Sequence, residues 1–342
     1  MSKNSLINTP RRRNPFAFAA SVTLIIAAVV AGIEISRRLI SPSNNTSEPT
    51  ARGQLAGATS GAPYPRELRD GSGATLRLMA RPGRIVSQTL GTDEILLAIC
   101  PPERIAALSW ASVDPEYSPM IDQARALGVP AIKGAEEILR LNPDLIFVAS
   151  YSRAEVVALL QTAGAPIFRF ARYESIQDIK DNIRAIGYAI GEDERAAALV
   201  AQMEHEIEAV RARVPAGNRP RIMSYGGGVT AGAGTLYDDV IRMVGAINVS
   251  AERGLRGFPK VSSEQIVEWD PDFLITGAQP DKFDEARKAL LADPAIASSR
   301  AGRAGRVIVL DNRYYLSVTH HIVRTMEALA DGLYSAGAGR NE

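Results

Sequence analysis

Cysteine, histidine and tryptophan are all scarce in this 342-residue chain: one, three and two residues respectively. A lone cysteine, Cys100, excludes an internal disulfide, a thiolate zinc cluster and an iron–sulfur site, and its expected place is the core, where a free thiol behaves as a small hydrophobe. The histidines His205, His320 and His321 do not offer a three-imidazole metal site, because His205 falls within a long helical pattern. Adjacent residues on a helix point apart, so His320 and His321 are read as helix-surface groups. No metal and no cofactor are expected. Charge of one sign is also lacking. With 39 basic and 38 acidic residues there is no global basic field, which removes nucleic acid from the expected partners. No Gly-x-Ser-x-Gly elbow or phosphate loop occurs, and GAGTLY (Gly232–Tyr237) lacks the third glycine of a dinucleotide fingerprint. No catalytic residue is assigned, and an α/β hydrolase or reductase stands only as the rival class.

What is present is enough apolar material for real cores, 46% of residues, in a length near twice that of an ordinary domain. The charge is unevenly placed. Lys3, Arg11, Arg12, Arg13, Arg37 and Arg38 face only Glu34 in the first 40 residues, leaving 33 basic against 37 acidic residues in the rest. Phe16 to Ile33 is an uncharged run of 18 residues behind the triple arginine, which places the arginines on the cytoplasmic side and the rest of the chain outside. Residues 1–40 are therefore read as a signal peptide, cleaved after Ala31, or as a retained membrane anchor through residues 16–33. No cysteine follows the run, which excludes a lipoprotein. From Ser41 to Tyr64, 19 of 24 residues are Ser, Thr, Asn, Gly, Pro or Ala, and residues 41–69 read as a flexible tether.

Beyond it, short apolar runs alternate with amphipathic stretches: RIVSQ, IAAL, LIFVA and PIFRF in residues 70–190, then RIMSY, FLITG and RVIVL in residues 216–338. Strands that alternate with helices predict parallel sheet, and the fold class is α/β, two lobes of parallel sheet with flanking helices. Thr92 is the expected cap of the helix DEILLAI. Between the lobes, residues 191–215 place Ala196, Leu199, Val200, Met203, Ile207, Val210 and Val214 at helical spacing, ended by Pro215. That predicts one long helix joining the lobes as a stiff strut. An internal repeat is more telling. EEILRLNPDLIFVA (residues 136–149) and EQIVEWDPDFLITG (residues 264–277) share Glu, Ile, Pro and Asp at matching places. Each reads as a short helix opened by a glutamate, stopped by Pro143 or Pro271, with Asp144 or Asp272 entering a buried strand. A common helix-to-strand connection explains the Pro-Asp pair, and the helix dipole favours a carboxylate in the first turn.

Four segments in order, from Asp70 to Trp110, KGAEEILRLNPDLIFVAS, GAGTLYDDVIRMVGAINV and VSSEQIVEWDPDFLITG, together with the long middle helix, resemble the periplasmic binding proteins for ferric siderophores, haem and cobalamin over about residues 70–337. The resemblance implies a ligand held in the cleft between two lobes joined by a rigid helix, delivered by a monomer to an ABC permease and its ATPase. It implies that Glu136 and Glu264, opening helices at the outer ends of the lobes, dock onto permease arginines. For the cleft it points to Trp110, Tyr151 and Tyr225 after strands, Phe258 six residues before Glu264, and Arg313 and Tyr314 after the last strand. Trp269, inside the repeat helix, is read as packing. The way the family divides favours a ferric siderophore, then cobalamin, then haem. A solute sensor that transports nothing remains a further alternative.

Overall fold

The computed structural model describes residues 61–217 and 219–334. The apolar run 16–33 and the expected tether up to residue 60 lie outside them. Among the described residues no helix is long and apolar enough to cross a membrane.

The chain enters through an antiparallel hairpin, β1 (Arg66–Arg69) and β2 (Thr75–Leu78). Residues 66–69, read from the sequence as the end of a tether, therefore belong to the fold. Composition hides this because the strand RELR looks charged, yet Arg66 is buried between the rings of Tyr64 and Tyr188 and pairs with Asp193 at 2.8 Å. A parallel sheet follows, built from β3 (Ile85–Ser87), α1 (Leu90–Ile99), β4 (Ile105–Ser109), α2 (Ile121–Ala126), β5 (Ala131–Ile132), α3 (Ala135–Arg140), β6 (Leu145–Ala149), α4 (Ala154–Thr162), β7 (Ile167–Phe170) and α5 (Ile176–Ile190). The strand order is β5-β4-β3-β6-β7.

Gly191, at φ 72°, ends α5, and α6 (Asp193–Arg211) departs at once. Arg104 and Arg81 fix that corner by donating to the Ile190 carbonyl and pairing with Glu192. A side chain at Gly187 would put its Cβ 2.3 Å from that of Ala196, so only glycine lets α5 and α6 approach so closely. The strut has 19 residues, about 28 Å at 1.5 Å per residue. Its buried stripe is Ala196, Val200, Met203, Ile207 and Val210, as the spacing predicted.

The second lobe contains β8 (Arg221–Ser224), α7 (Leu236–Met243), β9 (Ile247–Asn248), α8 (Val249–Glu252), α9 (Ser263–Trp269), β10 (Phe273–Ala278), α10 (Phe283–Leu291), α11 (Pro294–Ser298), α12 (Arg300–Arg303), β11 (Val307–Asp311), α13 (Asn312–Tyr315) and α14 (Ile322–Tyr334). Its parallel sheet has the order β11-β10-β8-β9. Strand alternation sorts the cores. Ile146 and Val148 face an outer core with Ile138 and Leu160; Met223 and Leu274 face its counterpart with Ile266 and Ile296. The intervening Phe147, Ile222 and Ile275 belong to one inner core that runs without a break through Val200, Met203 and Ile207 of α6 into both lobes. Each fully buried Leu, Ile or Phe there contributes roughly 1.5–3 kcal/mol, so the lobes share an apolar joint as well as a connecting helix. Cys100 lies in this inner core, its thiol pushed up to about 11, chiefly by burial.

The repeat resolves into a strand-start clasp. Asn142 (φ 46°) and Asp270 (φ 47°) occupy equivalent left-handed positions after α3 and α9, a conformation that Asn and Asp tolerate. Asp144 accepts the backbone N–H groups of Gly83 and Arg84, each at 2.8 Å; Asp272 accepts that of Arg221 at 2.9 Å. The guanidinium groups of Arg84 and Arg221 return hydrogen bonds to the carbonyls of Asn142 and Asp270.

Candidate functional site

Parallel strands present their C-terminal ends to ligands, and here both sheets do so toward the space between the lobes. Ser109 ends β4 and the chain turns into Trp110, whose ring is 42% exposed. Tyr117 packs edge-on against it at 5.7 Å between centroids, and Lys133 Nζ, just past β5, stands 5.6 Å from the ring centroid. Arg153 donates to the Lys133 carbonyl at 2.8 Å. Neither cation makes an ion pair among the described residues. Across the gap Phe258 is half-buried and packs edge-on against Tyr237 at 6.1 Å, which in turn lies 4.7 Å from Tyr315. The Gln279 side chain donates to the Glu116 carbonyl at 2.6 Å, linking the C-terminal end of β10 to the loop that carries Tyr117.

The other expected residues are placed differently. Tyr151 packs against Tyr173 with its ring tilted 55° and the centroids 5.4 Å apart, and burial pushes its hydroxyl up to about 12, with the nearby carboxyls of Glu94 and Asp93 adding to the effect. Tyr225 leans on the outer core of its own lobe; its hydroxyl is raised first by burial and then by the charges of Asp293 and Glu264. Arg313 does not present a free charge: its guanidinium is tied to both carboxylate oxygens of Asp311, which raises its pKa. Tyr314 packs edge-on at 6.2 Å against His321.

His320 and His321 are not helix-surface groups. Their rings lie 4.0 Å apart, and His320 Nδ1 and His321 Nε2 are buried with no hydrogen-bond partner. Burial lowers them to about 3 and about 4, respectively. The reading failed because these residues precede α14, in a turn folded back on α1, and helical geometry does not apply to them. Thr92 is also reassigned. Thr89 caps α1, and the Thr92 hydroxyl bonds the Thr89 carbonyl instead. Among the described residues no group of three or more His, Cys, Asp or Glu is placed to hold a metal ion.

Glu136 and Glu264 are both exposed. α3 follows β5 directly, and Glu136, in its first turn, stands three residues from Lys133. Glu264, in the first turn of α9, stands six residues beyond Phe258. In neither lobe does this glutamate join the Pro-Asp clasp. Glu137, beside it, completes a capping box on Lys133 and Gly134, and those bonds lower its pKa. Glu264 is lowered too, chiefly by a hydrogen bond with Ser262.

The sequence profile of the periplasmic binding protein family matches residues 85–314. The chain belongs to this family. Among relatives of this periplasmic binding protein, a cobalamin-binding protein of Halobacterium salinarum is 26% identical over 320 residues, 92% of this chain and 84% of that one. An uncharacterized ABC transporter substrate-binding lipoprotein of Bacillus subtilis is 21% identical, covering 62% of this chain and 69% of its own. Among solved structures, the periplasmic haem-binding protein RhuT from Roseiflexus sp. RS-1, in apo form, is 28% identical, covers 74% of this chain and 98% of its own, and superposes with a TM-score of 0.64. The relatives are binding proteins, and the two-lobed α/β fold is theirs.

Proposed function

We propose that this protein is the extracytoplasmic substrate-binding subunit of an ABC importer and that it carries a tetrapyrrole, a corrinoid before haem. The observation that carries the ligand class is Trp110: a broad aromatic plane, 42% exposed at the end of a parallel strand, is a large apolar surface left for a flat partner. Phe258 offers a second aromatic from the facing lobe. The cobalamin-binding relative, which matches 92% of the chain, moves the corrinoid ahead of the ferric siderophore expected first from sequence. The siderophore stays as a second reading because Lys133 and Arg153, which make no ion pair among the described residues, suit an anionic ferric chelate. Tyr151 and Tyr314, each packed on a neighbouring ring, and Arg313, already neutralised by Asp311, contribute less; Tyr225 lies at the base of the C-terminal side. Glu136 and Glu264 contact the permease, one per lobe. The N-terminal segment holds or releases the body on the outer side of the cytoplasmic membrane, where it acts as a monomer.

Titration of the purified full chain with cobalamin, haem and a set of ferric siderophores tests the ligand. Trp110 is one of only two tryptophans, so binding quenches intrinsic fluorescence. Submicromolar quenching by cobalamin and weaker response to the others is expected. Tight binding of a siderophore alone replaces the corrinoid, and no response from any of the panel removes the assignment.

A further inference from the structure

The lobes meet at a buried carboxyl that no binding role accounts for. Glu94 opens the second turn of α1, in the N-terminal lobe, and is fully buried. Its Oε2 accepts the Thr319 hydroxyl at 2.5 Å and the Ser317 hydroxyl at 3.2 Å, both from the turn before α14 in the other lobe, more than 220 residues along the chain. Its Oε1 is buried with no partner. The lobes are in van der Waals contact at this point: a Cβ on Gly91, one turn earlier, would lie 3.0 Å from Val318 Cγ2.

We propose that Glu94 is a proton-operated latch, closed in its neutral form and released when it ionises, that sets how tightly the two lobes are joined. The argument is one of solvation. An ionised carboxylate needs several donors or water, and this one has two hydroxyls on one oxygen and nothing on the other. The groups that face it supply no cation. Asp93, next to it on α1, is fully buried and spends its oxygens on the backbone N–H and hydroxyl of Ser109, within its own lobe. Tyr151, from the loop after β6, brings a neutral phenol. The turn before α14 brings Ser317, Thr319 and then His320, an imidazole that is neutral through the physiological range. Glu94 is accordingly raised to about 8, first by burial and in smaller part by Asp93. Separation of the lobes would let water reach both oxygens and return the group to its ordinary range. Rising pH therefore favours the loosened joint, whatever ligand the cleft takes.

The test is hydrogen exchange on the full chain at pH 6 and pH 9, corrected for the chemical exchange rate. It compares opening of residues 90–96 and 316–322 with opening of β6 and β10. Opening of the junction is expected to rise by about tenfold to a hundredfold between the two values, as the shift in proton affinity requires, while the strands stay unchanged. In Glu94→Gln, which cannot ionise, the junction should open to the same extent at both. Equal opening in the wild type at pH 6 and 9, or an undiminished rise in Glu94→Gln, overturns the latch. Should that variant fail to fold, the wild-type infrared spectrum decides. A protonated-carboxyl band present at pH 6, lost by pH 9 and retained in Asp93→Asn supports it, and its absence at pH 6 contradicts it.

Discussion

In the N-terminal lobe Asp144 clasps two backbone N–H groups at the start of β3; in the C-terminal lobe Asp272 clasps one at the start of β8 and adds an ion pair with Arg300 at 2.7 Å. The same repeat also sets a glutamate at the first turn of each helix, and there the lobes agree on a different point: neither side chain joins the clasp. A shared Asp has a shared structural task. A shared Glu with no such task is explained by the helix dipole or by a partner outside the chain. The lobes diverge elsewhere, because the first carries an extra hairpin and buried carboxyls at the junction while the second meets it with hydroxyls and two neutral imidazoles.

The hairpin gives the largest contrast. Arg66, 5% exposed, donates to the Tyr188 carbonyl and pairs with Asp193, itself 11% exposed, at the corner from which α6 departs. Arg300 of the C-terminal lobe pairs with Asp270 and Asp272 but is 52% exposed. Removing one member of a buried pair leaves the other uncompensated, so Arg66→Ala should cost about 3–5 kcal/mol, whereas Arg300→Ala, at an exposed and solvent-screened pair, should cost far less. Urea unfolding of both variants checks this. Equal losses would mean that the hairpin does not brace the corner.

The junction gives opposite pH limbs from the two lobes. Asp93 and Glu94 sit at about 7 and about 8 in the folded protein, above their ordinary values, through burial. Their stabilisation is complete at low pH and is lost as pH rises from about 4 to 8. His320 and His321 sit below the ordinary imidazole value, again through burial, so theirs is complete above about 6.5 and is lost as pH falls toward 3. Between about pH 4.5 and 6.5 the two slopes oppose each other, and stability should form a plateau that falls on both sides by about 1 kcal/mol per pH unit for each group still titrating. Denaturant midpoints from pH 3 to 9 measure it. Glu94→Gln should soften the alkaline limb alone, and His320→Asn the acidic limb alone; a variant that changes both limbs equally breaks the comparison.

A smaller effect separates the two clasps. Asp272→Ala loses the hydrogen bond accepted from the Arg221 backbone N–H and an ion pair and should destabilise by about 1–3 kcal/mol, while Asp144→Ala, on an exposed carboxylate, should lose about 1 kcal/mol. Thermal unfolding of the pair ranks them.

Much of this architecture was legible in the sequence. LIFVA is buried on both faces and PIFRF, FLITG and RVIVL on at least one, so their apolar runs announce parallel strands, and the stripe from Ala196 to Val210 announces the strut. The two-residue strands β5 and β9 are too short for any pattern. β1 was lost because one of its two buried residues is an arginine, whose partners Tyr188 and Asp193 lie 122 and 127 residues away. At the candidate site, Trp110 directly follows β4, whereas Phe258 lies in the loop between α8 and α9. Arg313 looked free because a sequence does not show that Asp311, two residues back, turns its carboxylate onto the guanidinium. The Glu94 junction left no local signal at all, since an acid near the start of a helix is ordinary and its partners lie in the other lobe.

The claim that the paired glutamates look outward, to a partner, is tested most directly by charge reversal at both. Glu136→Lys with Glu264→Lys in one full-length chain, carried in cells together with its permease and ATPase, should leave ligand affinity and melting temperature within the range of the wild type and reduce uptake by about tenfold or more, because opposite charges set encounter and register across an interface. Uptake equal to wild type, with at most about 1 kcal/mol of stability lost per site, would leave both glutamates to the helix dipole and contradict the docking role.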